Sequence, residues 1–249
     1  GRDEETGLLL KRWRQAVDGE GQVLVLTGEA GVGKSRILRS FREQVESESR
    51  NRVLYYCSPY HQNSALYPAI NQLERAARFE TADTPEQKFE KLEAVLQSLD
   101  LPAAEYAPFL ANLLSLPAEE RYPPLTLSPL QLRNQILETS ISLFEAMAAQ
   151  QPVLMVVEDA HWIDPTTLEM LTLALDRVRS LRIFMVVTAR PEFAPSWGEH
   201  AHLTTLALNR LSHRECADMV AEVCEGKPLP DEIVAQIVAK TDGVPLFVE

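Results

Sequence analysis

The octapeptide Gly28-Glu29-Ala30-Gly31-Val32-Gly33-Lys34-Ser35 fills every fixed position of the phosphate-binding pattern G-x-x-x-x-G-K-[ST]. At ordinary residue usage, chance meets those four constraints in only about one chain in a hundred of this length. The flanks agree with the motif. Val23-Leu24-Val25-Leu26 is a short apolar run suited to a buried parallel strand, and Arg36 to Val45 carries apolar residues at 37, 38, 41 and 45, a helical spacing. Strand, loop and helix therefore stand in the order that such a loop needs.

Each residue type has its own task. The glycines Gly28, Gly31 and Gly33 permit positive φ and let main-chain N–H groups face phosphate oxygens without side chains in the way. Lys34 is placed to meet the β- and γ-phosphates, and the Ser35 hydroxyl to ligate Mg²⁺. The helix that follows offers unpaired N–H groups and the positive end of its dipole. Glu29, Ala30, Val32 and Arg36 complete the candidate nucleotide-binding set. The expected ligands are ATP or ADP with Mg²⁺, although spacing alone does not separate ATP from GTP.

The 249 residues suffice for one large α/β domain or for a domain with a small appendage, and 45% hydrophobic with 24% charged residues are globular values. A net charge of -12 disfavours a surface built for nucleic acid, and Lys11-Arg12-Trp13-Arg14 reads as a solvated helix face. Cys57, Cys216 and Cys224 have no metal-ligand spacing and cannot all pair, which suits a reduced, cytoplasmic setting. No apolar run reaches membrane-spanning length and no signal peptide is visible. A start on Gly1 and an end at Leu246-Phe247-Val248-Glu249 suggest a piece of a longer protein.

Periodicity predicts a helix over 4–17, a strand over 23–27, a helix over 36–48 and a strand over 53–57. Residues 58–150 read as a long, mainly helical insertion. Thr84-Pro85-Glu86-Gln87 and Ser128-Pro129-Leu130-Gln131 both carry the signature of a capping box with proline at the first helical position. Apolar spacing continues each as a helix, through Phe89, Leu92, Val95, Leu96 and Leu99, and through Leu130, Leu137, Ile141, Phe144 and Met147. The proline-rich stretch 116–129 reads as an irregular connection.

Further strands are expected at 153–157 and 183–187, with an edge strand over 203–208. Apolar strands alternating with helices give an α/β, P-loop NTPase-like three-layer fold with a mainly parallel sheet and ligands at the strands' carboxyl ends. After Asn209 the pattern is helical only, with a capping box at Ser212-His213-Arg214-Glu215, so 1–209 reads as the nucleotide-binding domain and 210–249 as the start of a helical lid.

Glu158-Asp159 closes the apolar run 153–157, the place where such an enzyme holds Mg²⁺ and orients the attacking water. Glu158 takes the metal position and Asp159 the water position. The more usual order is Asp then Glu, and an aspartate reaches about 1.5 Å less than a glutamate, so slow hydrolysis is expected. Asp164 with Pro165 begins the next helix as its cap. His161 and Trp162 either line the site or pack beside it. Arg190, after a neighbouring strand, is either a γ-phosphate sensor or a surface ion-pair partner.

Taken together, the whole chain resembles the ATPase module of the STAND class of AAA-related signalling proteins, notably modules joined to bacterial adenylate/guanylate cyclase domains or LuxR-type regulators. Gly1-Arg2-Asp3-Glu4 is similar to that class's adenine-contacting opening, without the hydrophobic residues that usually precede it. GEAGVGKS and VVEDAHWIDP match its two Walker segments, Thr188-Ala189-Arg190-Pro191 its arginine sensor, and Gly243-Val244-Pro245-Leu246 its Gly-x-Pro lid motif. The resemblance implies that Arg2 and Pro245 touch the nucleotide. It also implies that ADP holds the lid closed, and that ATP exchange, triggered through downstream repeats, opens it. Mg-ATP then licenses homo-oligomerisation or releases a fused effector. Two other readings stay open: a fast AAA-type motor with an arginine finger from a neighbouring subunit, and an ATP-binding scaffold without turnover.

Overall fold

In the first strand, β1 (Gln22–Thr27), alternate side chains serve two different cores. Val23 and Val25 join one buried cluster and Leu24 and Leu26 another, as the two-residue period of a strand covered on both faces requires. The computed structural model describes residues 2–48, 51–224 and 229–248. Gly1 of the opening signature and Glu249 lie outside the described residues.

Four more strands complete the sheet: β2 (Asn51–Tyr56), β3 (Val153–Glu158), β4 (Ile183–Ala189) and β5 (Leu203–Ala207). Their order is β2-β3-β4-β1-β5 and every pairing is parallel. The sheet expected to be mainly parallel is wholly so among the described residues. On one face lie α1 (Asp3–Val17) and α2 (Lys34–Gln44), which bring Leu9, Trp13, Ile37, Leu38 and Phe41 onto Leu24, Leu26, Leu154, Val156, Phe184 and Val186. The opposite face is covered by α6 (Pro129–Gln150) and α7 (Pro165–Val178), through Leu137, Ile141 and Phe144 and through Met170, Leu171 and Leu175. Each such fully buried side chain contributes roughly 1.5–3 kcal/mol.

The segment between β2 and β3 is helical as expected, with α3 (Tyr67–Ala76), α4 (Pro85–Ser98) and α5 (Ala103–Leu113) preceding α6. Both capping boxes form: Thr84 with Gln87 and Ser128 with Gln131 exchange side-chain and main-chain hydrogen bonds. Leu73, Leu92, Leu96, Ala107 and Leu110 make a small core between α3, α4 and α5. Within the proline-rich connection a short 3₁₀ turn forms at Ala118–Glu120. Leu130, expected on the apolar face of α6, stands exposed in its first turn.

The remaining helices are α8 (His213–Val223) and α9 (Asp231–Thr241), followed by a 3₁₀ turn at Pro245–Phe247. The Ser212–Glu215 box forms, with the Glu215 N–H donating to Ser212 Oγ at 3.3 Å. The basic run at 11–14 is only partly a solvated face, because Trp13 is buried and donates its indole N–H to Glu48 at 2.9 Å. No helix among the described residues is long and apolar enough to cross a membrane.

Candidate nucleotide site

The carboxyl end of β1 lies where the chain reverses direction across the sheet: the connection after β1 leads to β2 at the far edge, and β4 crosses back to β5 on the other side. Such a switch point opens a crevice at the strand ends. The phosphate loop occupies it. Gly31 and Gly33 take positive φ, 77° and 101°, and Gly33 serves as the N-cap of α2 without any side-chain cap. The helix therefore starts at Lys34, two residues earlier than its apolar pattern indicates, and stops at Gln44 rather than 48. A Cβ added to Gly33 would meet no atom within 4 Å, so the space beside the uncapped helix end is open. An uncapped helix start beside a lysine fits an anion.

Lys34 is buried, and its ammonium donates to the carbonyl oxygens of Gly28 at 2.6 Å and Glu29 at 2.9 Å. Burial pushes its pKa down, opposed in part by the charge of Asp159. The lysine thus rests on its own loop, with no carboxylate among its hydrogen-bond partners in the described residues. Gly28 is itself anchored, its N–H donating to Ala189 O at 3.2 Å.

Two clefts flank this loop. One, of about 420 Å³, is lined by Ala30, Gly31, Lys34, Ser35, Asp159, His161, Trp162, Arg190 and Leu246. The other, of about 430 Å³, is lined by Arg2, Thr6, Val32, Ile37, Leu211 and Met219. Gly33, Arg36 and Pro245 border both. Residues from the two ends of the sequence thus meet at one loop. Arg2 is oriented by Glu5 at 2.8 Å and by the Asn209 carbonyl at 2.7 Å.

The two acids part company. Glu158 is the last residue of β3, in register with Tyr56, and faces a neighbouring cleft lined by Ser35, Arg39 and Arg42. Burial raises its carboxyl pKa, while the Arg42 guanidinium at 4.0 Å pulls the other way. Asp159 turns into the left-handed region, φ 56°, which swings its side chain toward Lys34 and Arg190. Its N–H donates to Thr188 Oγ1 at 3.1 Å, tying the ends of β3 and β4 together. Ser35 lines both the cleft that holds Glu158 and the one that holds Asp159, so its hydroxyl is shared between a side where it stands with the Glu158 carboxylate, a pair of oxygen donors suited to Mg²⁺, and a side where it stands with Asp159.

Arg190 follows β4, lines the same cleft as Lys34 and Asp159, and lies over the Trp162 ring at 5.7 Å, a contact that sequence reasoning did not anticipate. His161 and Trp162 both line the phosphate-side cleft. Burial lowers the His161 pKa, and its Nδ1 is buried without a hydrogen-bond partner among the described residues. Arg42 and Arg210 were not singled out by sequence reasoning. A signal existed for Arg42: positions 35, 39 and 42 share one helix face.

Comparisons with known proteins bear on the family and the fold. The chain matches the family model described as the AAA ATPase domain over residues 1–187. An uncharacterised protein of Rhizobium meliloti (strain 1021) is 28% identical over 255 residues, covering 100% of this chain and 24% of that protein. The chain thus spans about a quarter of the length of that curated relative. Among solved structures, a signal transduction ATPase with numerous domains (STAND) bearing a tetratricopeptide repeat sensor, from Pyrococcus horikoshii, aligns with TM-score 0.52 and 15% identity over 100% of this chain and 28% of that one. A chain of the HORMA:CdnC:Trip13 complex of E. coli MS115-1 aligns with TM-score 0.52 and 13% identity, over 97% of this chain and 73% of that one. These structural likenesses speak for the fold. With a phosphate loop at the switch point of a parallel sheet and a family match over three-quarters of its length, the chain belongs to the AAA ATPase domain family.

Proposed function

We propose that this ATP-binding module is a regulatory switch with slow Mg²⁺-dependent hydrolysis. Residues 1–209 form its nucleotide-binding domain and 210–249 the start of a lid. The observation that carries the reading is the contact between the two. The Leu246 N–H donates to the Gly31 carbonyl at 3.3 Å, with Pro245 on the rim of both clefts. A nucleotide seated on that loop changes what Leu246 and Pro245 can touch, and a switch needs such a difference in affinity between two lid positions.

In this assignment the loop N–H groups and Lys34 bind the phosphates, and Ser35 with Glu158 would hold Mg²⁺, which supplies charge neutralisation at the phosphates. Asp159 orients water, Arg190 senses the γ-phosphate, and Arg2 and Pro245 contact the nucleoside. Arg36 belongs to the same binding set. The short reach of Asp159 and the ring under Arg190 support slow turnover. The wider protein, through fused repeat and output domains such as a nucleotide cyclase or transcription regulator, would couple the switch to ATP-dependent self-association in the cytoplasm. The three free cysteines suit that compartment.

Hydrogen exchange over residues 229–248 in Mg-ADP and Mg-ATP, with turnover measured alongside, tests the proposal. A nucleotide-dependent change in protection with turnover well below about 1 per second is expected. Identical protection in both nucleotides, or fast turnover with ring formation, overturns it in favour of a scaffold or a motor.

A further inference from the structure

Arg210, in the connector between β5 and α8, reaches in two directions at once. Its Nε and terminal nitrogen donate to Glu29 Oε2 at 3.1 and 2.7 Å, and its other terminal nitrogen donates to the Asp242 carboxylate. Glu29 belongs to the phosphate loop. Asp242 is the left-handed residue that ends α9, just before Gly243.

The surrounding main chain fixes this geometry. The Leu211 N–H donates to Gly243 O at 2.7 Å, and a Cβ on Gly243 would lie 2.5 Å from Leu211 O, so connector and turn are in contact with no side chain between them. Arg2 holds the preceding residue through the Asn209 carbonyl. On the far side, a Cβ built on Gly31 would stand 3.0 Å from both Val244 and Leu246 side-chain atoms. The segment 242–246 therefore meets the phosphate loop through Val244 and Leu246 and the connector through Asp242 and Gly243, and Arg210 joins loop and segment by charge.

Glu29 has a second attachment. Its carbonyl is one of the two acceptors on which Lys34 rests. One loop residue thus carries the phosphate-binding lysine on its main chain and the connector arginine on its side chain. A triphosphate that draws Lys34 away frees the Glu29 carbonyl, and departure of 242–246 removes Asp242 from Arg210.

We propose that Arg210 is a positioning residue that latches the segment 242–246 onto the phosphate loop, holding the loop in the arrangement in which Lys34 rests on Gly28 and Glu29, and so biases the site against ATP relative to ADP. The regulatory part rests on the switch proposed above; the latch itself does not require nucleotide. The pairs are exposed, so each is individually weak, and the effect comes from one guanidinium serving two carboxylates.

The test uses the 249-residue chain with Arg210→Gln, Arg210→Lys, Glu29→Gln and the double variant Glu29→Gln/Arg210→Gln. Without nucleotide, Arg210→Gln is expected to raise amide exchange over 242–248 by about threefold to tenfold, with little change in global unfolding and partial rescue by Arg210→Lys. The double variant should exchange no faster than the faster single one, because both changes break the same contact. With nucleotide, the ratio of ADP to ATP dissociation constants should rise by a similar factor in Arg210→Gln. Unchanged exchange in Arg210→Gln, or effects of the two single changes that multiply, overturns the latch. An unchanged ratio overturns its regulatory role. Failure of the wild-type chain to bind either nucleotide would instead overturn the proposed function, while the nucleotide-free exchange still decides the latch.

Discussion

The Asp164 carboxylate accepts the main-chain N–H of Leu66 at 3.1 Å, joining two loops that are 98 residues apart in sequence. The same carboxylate caps α7 by accepting from the N–H groups of Thr166 and Thr167, at 3.1 and 2.9 Å, and from the Thr167 hydroxyl. Asp164 is buried, and Leu66 is held at φ 58°, in the left-handed region that a leucine rarely enters. Asp164→Ala removes the cap and leaves the Leu66 N–H without an acceptor. It should cost about 3 kcal/mol in urea unfolding, with Asp164→Asn, which retains an acceptor, costing less. Equal stability of the alanine variant and the wild type would show that water or a backbone shift replaces the carboxylate.

Lys34 offers a test of ligand binding with little structural side effect, because its ammonium donates to carbonyls of its own loop. At a free nucleotide concentration a hundredfold above the dissociation constant, binding adds about 2.7 kcal/mol to stability. For a chain of this size that corresponds to roughly 5–10 °C in Tm. Lys34→Ala should abolish the shift seen with Mg-ATP in the wild type while leaving the Tm without nucleotide within a few degrees. A full shift in the purified variant would remove Lys34 from phosphate binding.

Local chemistry was legible in the sequence where a few adjacent residues fix the outcome. The phosphate loop, the apolar runs of β1, β3 and β4, and the capping boxes at Thr84, Ser128 and Ser212 are all of this kind. The order of the strands was not, because nothing in the apolar run 53–57 says that it pairs with β3 at an edge. That edge is closed by side chains of α3: Gln72 accepts the Leu54 N–H at 3.1 Å and Arg75 donates to the Leu54 carbonyl at 2.6 Å. Trp13 looked like part of a basic surface because the one large apolar residue in 11–14 is outnumbered by charges, yet a single residue per turn suffices to anchor a helix. Arg210 lay outside every motif, since its partners Glu29 and Asp242 stand 181 and 32 residues away. Within the site, the placement of side chains along the clefts followed from strand ends, whereas the pairing of Arg190 with Trp162 depended on the path of the turn after Glu158.

Cys57 immediately follows β2 and is nearly inaccessible, and burial pushes its thiol pKa up to about 12, helped by the charges of Asp164 and Asp159. At pH 8 only about one molecule in ten thousand carries the reactive thiolate there. A thiol reagent on the native chain should therefore modify the half-exposed Cys224 and spare Cys57 and the buried Cys216, as peptide mass spectrometry would read. The sign of the accompanying stability effect is fixed. Because the folded pKa lies above the ordinary value of 9.0, the contribution of the neutral thiol is complete below that pH and is lost as pH rises toward 12, where the unfolded chain has already ionised. Cys57→Ala should flatten this part of the alkaline unfolding profile. Rapid labelling of native Cys57 at pH 8 would mean that the end of β2 opens far more often than its packing implies.

Trp162 gives the phosphate-side cleft an optical reporter. The Arg190 guanidinium lies 5.7 Å from its ring centre, a cation–π contact worth about 0.5–1 kcal/mol at an exposed site. The other two tryptophans, Trp13 and Trp197, are buried and bonded to Glu48 and Thr172. A γ-phosphate that draws Arg190 off the ring removes a positive charge from the indole face, whereas ADP presents no group at that position. Mg-ATP should therefore change Trp162 emission more than Mg-ADP does, and the difference should vanish in Trp162→Phe. Arg190→Ala should bind ADP within about twofold of the wild type and lose about tenfold in ATP affinity, the scale of one charge-assisted contact. Equal emission changes with the two nucleotides, together with equal affinities in Arg190→Ala, would place Arg190 as a packing partner of Trp162 and leave recognition of the third phosphate to Lys34 and the loop.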